Sequence, residues 1–155
     1  MSDIKIRAAA EGDAAALTTL VYHSKQSNGY DEAFMAQCVD ALRVTPLRLT
    51  QIEFLVAEAE GTLLGCAALD RRNTEAACAE VCLFFVSPDH KRRGIGQQLW
   101  STLLARARAT GLTRLVLDAD PAAVPFYEGL GFVTLYQTPS SAIEGRTLPH
   151  MARDI

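Results

Sequence analysis

The chain has 155 residues, of which 49% are hydrophobic and 21% are charged, and its net charge at neutral pH is −3. This length suits one domain with a substantial core, so we expect residues 1–155 to form a single domain. The charge balance argues against broad nucleic-acid binding, and no apolar run approaches the roughly 20 residues that cross a bilayer.

The first half of the chain predicts a strand, two helices and a hairpin. Alternating apolar residues mark the strands, and apolar residues at helical spacing mark the helices. Asp31 is placed to cap the second helix, which Thr45 and Pro46 end. In chain order these elements cover residues 4–7, 12–24, 31–42, 54–58 and 63–69.

The second half predicts a buried strand, a long helix, another strand, a short helix and two final strands. Gly111 supplies a left-handed stop to the long helix, and Pro149 would interrupt a central strand, so we expect the last strand at a sheet edge. The strands and the long helix cover residues 81–86, 95–110, 115–118, 132–136 and 147–152, and the short helix, within residues 123–132, is implied by the resemblance given below. The order of elements predicts an α/β domain with a mixed sheet.

Neither the start of the chain nor its cysteines suggest export. Residues 1–10 lack the basic start and apolar stretch of a signal peptide. The cysteines fall in different predicted elements without Cys-x-x-Cys spacing, which favours neither a disulfide scaffold nor a zinc site. We therefore expect reduced thiols, no metal and a cytoplasmic location. The residues concerned are Cys38, Cys66, Cys78 and Cys82, and the three isolated histidines, interpreted as surface or core residues, are His23, His90 and His150.

The most informative segment is a basic, glycine-containing turn between the buried strand and the long helix. We call residues 91–97 the glycine turn. Gly94 and Gly96 would let an anion approach the backbone at the helix start, although an ordinary turn with solvated basic residues has the same composition. A dinucleotide fingerprint would need a third glycine where Leu99 stands, and a P-loop would need Gly-Lys-Ser/Thr. Both of those motifs are absent.

Two segments resemble the GNAT N-acetyltransferase family. Lys91-Arg92-Arg93-Gly94-Ile95-Gly96 is similar to its acyl-coenzyme A signature, Gln/Arg-x-x-Gly-x-Gly/Ala, with lysine in the first place. Phe126-Tyr127-Glu128-Gly129-Leu130-Gly131-Phe132 looks like its late motif, Phe-Tyr-Glu-x-x-Gly-Phe. The resemblance extends from about Ile4 to Ile155, and its neighbourhoods around Tyr30 and Arg146 resemble small bacterial members.

The resemblance implies a mostly antiparallel, twisted sheet of about seven strands with four helices. The strands ending at Val86 and Asp118 would splay apart around acetyl-CoA, leaving a slot for its pantetheine arm. The glycine turn would bind the pyrophosphate and perform no chemistry. The expected cofactor contacts are Phe85, Val86, Lys91, Arg92, Arg93, Gly94, Ile95, Gly96, Gln97, Asp118, Phe126 and Tyr127.

The resemblance also suggests two catalytic residues. A protonated amine must lose a proton before it attacks a thioester, and Glu80 aligns with a glutamate that serves as base in many members. The alternative is a solvent-facing carboxylate. Tyr127 would protonate the departing thiolate, or else be a core aromatic bonded to backbone. A backbone N–H near Phe85 or Val86 would hold the oxyanion.

Acceptor contacts are expected from two loops that surround the acceptor mouth in this family. Asn28 and Tyr30 lie in the first loop, and Arg146 lies in the second. Arg146 would hold an acceptor carboxylate or would be an exposed strand-edge charge. Cys82 is a competing nucleophile, but without a neighbouring histidine it is interpreted as a core residue.

These observations predict an enzyme that transfers the acetyl group of acetyl-CoA to a primary amine of a small molecule, amino acid or peptide. The amine would attack directly in a ternary complex. The alternative is an acyl-CoA-binding sensor or interaction module of the same fold, without efficient catalysis. No nucleic-acid or membrane partner is expected. A homodimer could form through the final strands or the second helix.

Overall fold

A computed structural model describes residues 3–72 and 74–155. Within these residues one seven-stranded sheet is flanked by five α-helices. The strands are β1 (Lys5–Ala8), β2 (Glu53–Ala59), β3 (Thr62–Asp70), β4 (Cys78–Val86), β5 (Arg114–Asp118), β6 (Val133–Pro139) and β7 (Thr147–Asp154). The helices are α1 (Ala14–Gln26), α2 (Glu32–Leu42), α3 (Pro46–Gln51), α4 (Ile95–Ala109) and α5 (Val124–Gly129).

The sheet order is β1-β2-β3-β4-β5-β7-β6, and only the β4–β5 pair is parallel. This confirms the predicted mixed, mostly antiparallel sheet. Pairing between β4 and β5 covers Cys78–Glu80 and Arg114–Val116 and then stops. Residues 81–86 of β4 therefore have no β5 partner, which confirms the predicted splay between the two central strands.

Two apolar clusters lie on opposite faces of the sheet, as the alternation of β2 requires. Leu55 packs in the cluster with α4, whereas the next residue, Val56, packs in the cluster with α1 and α2. Leu99 of α4 and Leu17 of α1 have no exposed surface. With helices on both faces, the edges and the gap between β4 and β5 are the openings left for a ligand.

A third helix, α3, occupies the segment where the sequence pattern predicted only the end of α2. The Thr45 hydroxyl accepts a hydrogen bond from the Arg48 N–H at 3.1 Å, and Pro46 occupies the first turn. Thr-Pro therefore starts a helix here as well as ending one, because proline is well suited to a first helical turn.

The expectation that β7 forms a sheet edge is wrong. β7 pairs with both β5 and β6, and β6 is the edge strand. The carbonyl of Pro149 accepts from the N–H of Ala119, just beyond the end of β5. Since the nitrogen and carbonyl of one strand residue point to the same side, the missing N–H costs no bond to β6.

Among residues 3–72 and 74–155, no helix combines the length and the apolar character that crossing a membrane requires. The same residues contain no cluster of three His, Cys, Asp or Glu side chains arranged to hold a metal ion.

Candidate functional site

A β-bulge in β4 opens the centre of the sheet. Cys66 of β3 pairs with Phe85 and Ala68 pairs with Cys82, so β4 holds one extra residue between these pairs. Leu83 in this bulge has a φ of +48°, in the left-handed region. Bulges bend a strand and increase its twist, which turns the end of β4 away from β5. Nothing in the apolar run of β4 marks the bulge in the sequence.

A cavity of about 430 Å³ fills the resulting gap, and we call it the slot. Both diverging strands line it, together with the end of α1 and the start of α5. The structure brings seven of the predicted site residues into its wall. They are Asn28, Phe85, Val86, Lys91, Asp118, Phe126 and Tyr127. Asn28, predicted as an acceptor contact, therefore shares a cavity with the predicted cofactor residue Lys91.

The glycine turn lines an adjoining cavity of about 290 Å³, which shares Val86, Lys91 and Phe126 with the slot. Its wall includes every predicted glycine-turn residue except Arg93. Gly94 caps α4 with a φ of +74° and offers no side chain to the first turn. The N–H groups of that turn lack partners within the helix and lie at its positive end, an arrangement that favours a bound anion.

Gly96 lets the start of α4 pack closely on the slot. A Cβ atom at this position would lie 3.2 Å from Cζ of Phe126, closer than ordinary van der Waals contact. The bare backbone at Gly96 and the left-handed turn at Gly94 suit a pyrophosphate, and the slot between the diverging strands, which adjoins this turn, suits a pantetheine arm. The residues present therefore fit coenzyme A.

Glu80 lies on the face of β4 that also carries Cys82. It lines a third cavity, of about 280 Å³, with Asp118 and Leu148 in the same wall, and we call it the Glu80 cavity. Burial raises the pKa of Glu80, and the negative charges of Asp118 and Asp70 raise it further. A carboxylate with a raised pKa is a better proton acceptor at neutral pH than a solvated one. The interpretation as a solvent-facing strand-end charge does not fit this burial.

His150 is a residue that the sequence analysis missed. Its Nδ1 lies 2.7 Å from Oδ1 of Asp118, which it faces across the β5–β7 ladder. The ring of Tyr136 stacks on His150 with centroids 4.7 Å apart. No local pattern in the sequence indicates this pairing, because it depends on β7 lying beside β5.

Tyr127 is 8% exposed and lines the slot among aromatic rings. Its ring centroid lies 5.4 Å from that of Phe126 and 5.8 Å from that of Phe132. Burial raises the pKa of its hydroxyl, which stays protonated at neutral pH. Among the described residues this hydroxyl has no hydrogen-bond partner, so the expected alternative of a backbone bond is not seen.

The buried thiols are poor nucleophiles. Burial raises the pKa of Cys82 to about 12, with Glu80 adding to the shift, and burial raises that of Cys66 to about 12 as well. The thiolate is the nucleophilic form, so Cys82 is unsuited to a covalent mechanism.

A carboxylate, Asp120, joins the predicted acceptor loops beside the slot. Its Oδ2 lies 2.7 Å from Nζ of Lys25 and 2.9 Å from the hydroxyl of Tyr30. Arg146 donates to the Tyr30 hydroxyl at 2.6 Å. Burial alone would raise the pKa of Asp120, but the hydrogen bonds from Lys25 and the backbone of Ala122 outweigh it and lower the pKa.

The structure thus brings Tyr30 and Arg146 together across 116 positions of sequence. The Arg146 side chain is only 19% exposed, which overturns the alternative of an exposed strand-edge charge. Lys25 and Asp120 were missed by the sequence analysis. The Asp-Pro pair at positions 120–121 did offer a signal for a helix cap, and Asp120 accepts from the N–H of Ala122 at 2.9 Å.

The family model and the relatives that this chain matches are described as acetyltransferases. The family model described as an acetyltransferase (GNAT) domain matches residues 16–154. An IAA acetyltransferase from Azospirillum brasilense is 32% identical over 104 residues, which cover 65% of this chain and 67% of that protein. An amino-acid acetyltransferase from Neisseria meningitidis is 40% identical over 63 residues. The matched segment covers 41% of this chain and 14% of that longer protein.

Solved structures share the fold. A PaiA N-acetyltransferase from Thermoplasma acidophilum, crystallised with coenzyme A, superposes with a TM-score of 0.79 at 19% identity. The superposition covers 99% of both chains. At this identity the likeness shows the fold alone.

Proposed function

Because the chain belongs to the GNAT acetyltransferase family, we propose that it is an N-acetyltransferase that moves the acetyl group of acetyl-CoA to a primary amine. The acceptor is a small molecule, an amino acid or a peptide, and the amine attacks directly in a ternary complex. The observation that carries this proposal is the slot, whose wall contains Tyr127 and Asp118 and which adjoins the cavity of the glycine turn through Val86, Lys91 and Phe126.

Residues along the slot would hold the donor substrate. The first-turn N–H groups of α4 and the side chains of Lys91 and Arg92 would face the pyrophosphate. Beyond Glu80, the edge of β4 that faces away from β3 has no strand partner, and its free backbone groups would bond to the pantetheine amides, which satisfies groups that would be costly to bury alone. The carbonyl of Val86 already accepts a hydrogen bond from the Ser24 hydroxyl at 2.9 Å. Acetyl-CoA supplies an activated acetyl thioester, and the protein places it beside Tyr127.

Glu80 would act as the general base. Primary amines have a pKa near ~10, so most acceptor molecules arrive as ammonium ions. The acidic pair Glu80 and Asp118 in the Glu80 cavity attracts such a cation, and a Glu80 carboxylate oxygen takes its proton. The shared walls at Val81, Cys82, Leu83 and Leu148 place this cavity against the slot.

Tyr127 would stabilise the departing sulfur. Free thiols have a pKa near ~8.5, so a phenol whose pKa is raised by burial remains protonated beside a thiolate. The hydroxyl can therefore donate a hydrogen bond to the sulfur as negative charge develops there, and it keeps its proton.

Replacing Tyr127 with phenylalanine is expected to lower kcat by roughly 10–100-fold, the effect of one hydrogen bond to a charged group. The free energy of unfolding should stay nearly unchanged, because the hydroxyl bonds to no described residue and the ring remains. Steady-state release of free thiol from acetyl-CoA gives kcat, and thermal unfolding gives stability. An unchanged kcat would remove Tyr127 from the mechanism.

Free-thiol release from acetyl-CoA across a panel of amines, amino acids and peptides tests the function as a whole. An acetyltransferase turns over with at least one class of acceptor. The alternative, an acyl-CoA-binding sensor, would gain thermal stability with coenzyme A and yet release no thiol with any acceptor.

We also propose a cytoplasmic homodimer formed through the edge strand β6. Three large hydrophobic side chains of this strand are exposed, Val133 at 59%, Leu135 at 47% and Tyr136 at 56%. An edge strand has unpaired backbone groups, and an apolar one favours pairing with another chain. We expect sedimentation of the wild type to give a dimer mass and Leu135→Lys to shift it toward the monomer. A monomeric wild type would contradict this part of the proposal.

A further inference from the structure

Arg146 is held as a partly desolvated cation beside Asp120, which lines the slot. Its guanidinium carbon lies 5.1 Å from the ring centroid of Tyr30 and 4.9 Å from that of Phe34. The two rings stack on each other with centroids 4.0 Å apart. This packing and the bond to the Tyr30 hydroxyl fix the guanidinium in one place. A guanidinium has five N–H donors, and among the described residues Arg146 uses one of its groups, Nη2.

The charges around Arg146 do not cancel. Asp120 forms its short ion pair with Lys25, at 2.7 Å, whereas Nη2 of Arg146 lies 3.9 Å from Asp120. Two cations therefore share one carboxylate. The three side chains are 12–19% exposed, so water screens this excess positive charge only partly. A ligand anion would balance the charge and take up the unused N–H donors.

The position of Arg146 connects it with the reaction centre. Asp120, beside it, lines the slot that contains Tyr127. Ser141, in the same loop between β6 and β7, lines the Glu80 cavity. Leu148, two residues after Arg146, lines both. Two acidic groups, Glu80 and Asp118, therefore line the Glu80 cavity, and the cation Arg146 lies 3.9 Å from Asp120 in the wall of the adjoining slot.

We infer that the acceptor carries a carboxylate as well as its amine, and that Arg146 binds this carboxylate while the amine lies at Glu80. This inference rests on the proposed function and narrows its substrate class. A planar guanidinium can donate two parallel N–H bonds to a carboxylate, which lysine cannot reproduce. Tyr30 is then a positioning residue, because its hydroxyl and ring hold the guanidinium in place.

Matched pairs of acceptors test the inference. Glycine, alanine, β-alanine, γ-aminobutyrate and glutamate are compared with the same amines bearing carboxamides in place of the carboxylates. We expect kcat/KM of the wild type to be roughly 10–100-fold higher for the best carboxylate than for its carboxamide, as a charge-assisted pair predicts. Arg146→Gln should abolish this preference, so that the ratio of kcat/KM for the carboxylate to that for its carboxamide falls to about 1, and Arg146→Lys should retain part of it.

Three controls separate the possible outcomes. Arg108→Gln, at an exposed arginine of α4, should leave the preference intact. Thermal unfolding with coenzyme A checks that the Arg146 variants fold. Calorimetric binding of propionate and of propionamide to the coenzyme A complex reports on the carboxylate site without turnover, and only propionate should bind, and only with Arg146 present.

Equal rates for carboxylates and carboxamides in the wild type would overturn the inference and leave the proposed function standing. Absence of turnover with every acceptor, while propionate still binds through Arg146, would overturn the proposed function and support the anion site. Absence of both turnover and propionate binding would overturn the two together.

Discussion

Replacing Glu80 with glutamine is expected to lower kcat by roughly 10²–10⁴-fold, the contribution typical of a positioned general base. Glutamine keeps the shape of the side chain but cannot accept a proton from an ammonium ion. Glu80 lies outside the cavity of the glycine turn, so the dissociation constant for coenzyme A should not change. Thiol-release kinetics and calorimetry measure the two quantities separately.

The pH profile gives a second signature of the same residue. A base must be deprotonated to act, so kcat/KM of the wild type should fall as pH drops through the pKa of Glu80. Burial and the charge of Asp118 raise that pKa above the ordinary value for glutamate, 4.5, so the fall should begin at higher pH than for a solvated carboxyl. Glu80→Gln should lose this acidic limb. A limb that persists in the variant would assign the base to another group.

Thermal stability provides the control for Glu80→Gln, because this substitution should lower kcat without lowering stability. A carboxyl whose pKa is raised in the folded state binds protons more tightly there than in the unfolded chain. Its ionisation therefore lowers stability as pH rises through that window, and the loss persists at neutral pH. Glu80→Gln should melt no lower than the wild type at pH 7. Glu53→Gln, at the exposed first residue of β2, is the matched variant and should retain full activity.

The parts of the site that depend on local sequence were predictable. Gly94 begins α4 in the left-handed region, and Phe126 and Tyr127 lie against the slot, as the two motifs indicated. Capping and glycine conformations are determined within a few residues of chain, so they leave a local pattern. The strand ending at Val86 was predictable because its apolar run is also a local pattern.

The parts of the site that depend on contacts between distant residues could not be predicted from the sequence. The bulge at Leu83 exists only relative to the register with β3, and the apolar run of β4 is compatible with a regular strand. Lys25 and Asp120 are 95 positions apart, and neither one alone predicts the other. His150 reaches Asp118 because β7 inserts between β5 and β6, against the prediction drawn from Pro149.

Replacing a glycine of the glycine turn with a large residue is expected to weaken coenzyme A binding more than it slows the chemical step. In Gly96→Leu, the Cβ alone would lie 3.2 Å from Phe126, and the remaining atoms must displace that ring or the start of α4. Both surfaces line the proposed cofactor site, and overpacking costs about 1–3 kcal/mol. If binding must reverse the displacement, the dissociation constant rises roughly 10-fold or more. Calorimetry with coenzyme A measures it.

The two ends of α4 supply a matched comparison for the effect of backbone strain. Gly94 and Gly111 have similar left-handed φ values, +74° and +86°, and a Cβ meets no other atom within 4 Å at either position. Gly94→Ala and Gly111→Ala should therefore lose similar stability, but only Gly94→Ala disturbs the turn that presents its N–H groups to phosphate. A rise in the dissociation constant for Gly94→Ala alone would assign the turn to cofactor binding. Lost turnover with unchanged cofactor affinity would instead place the glycine turn in the chemical step.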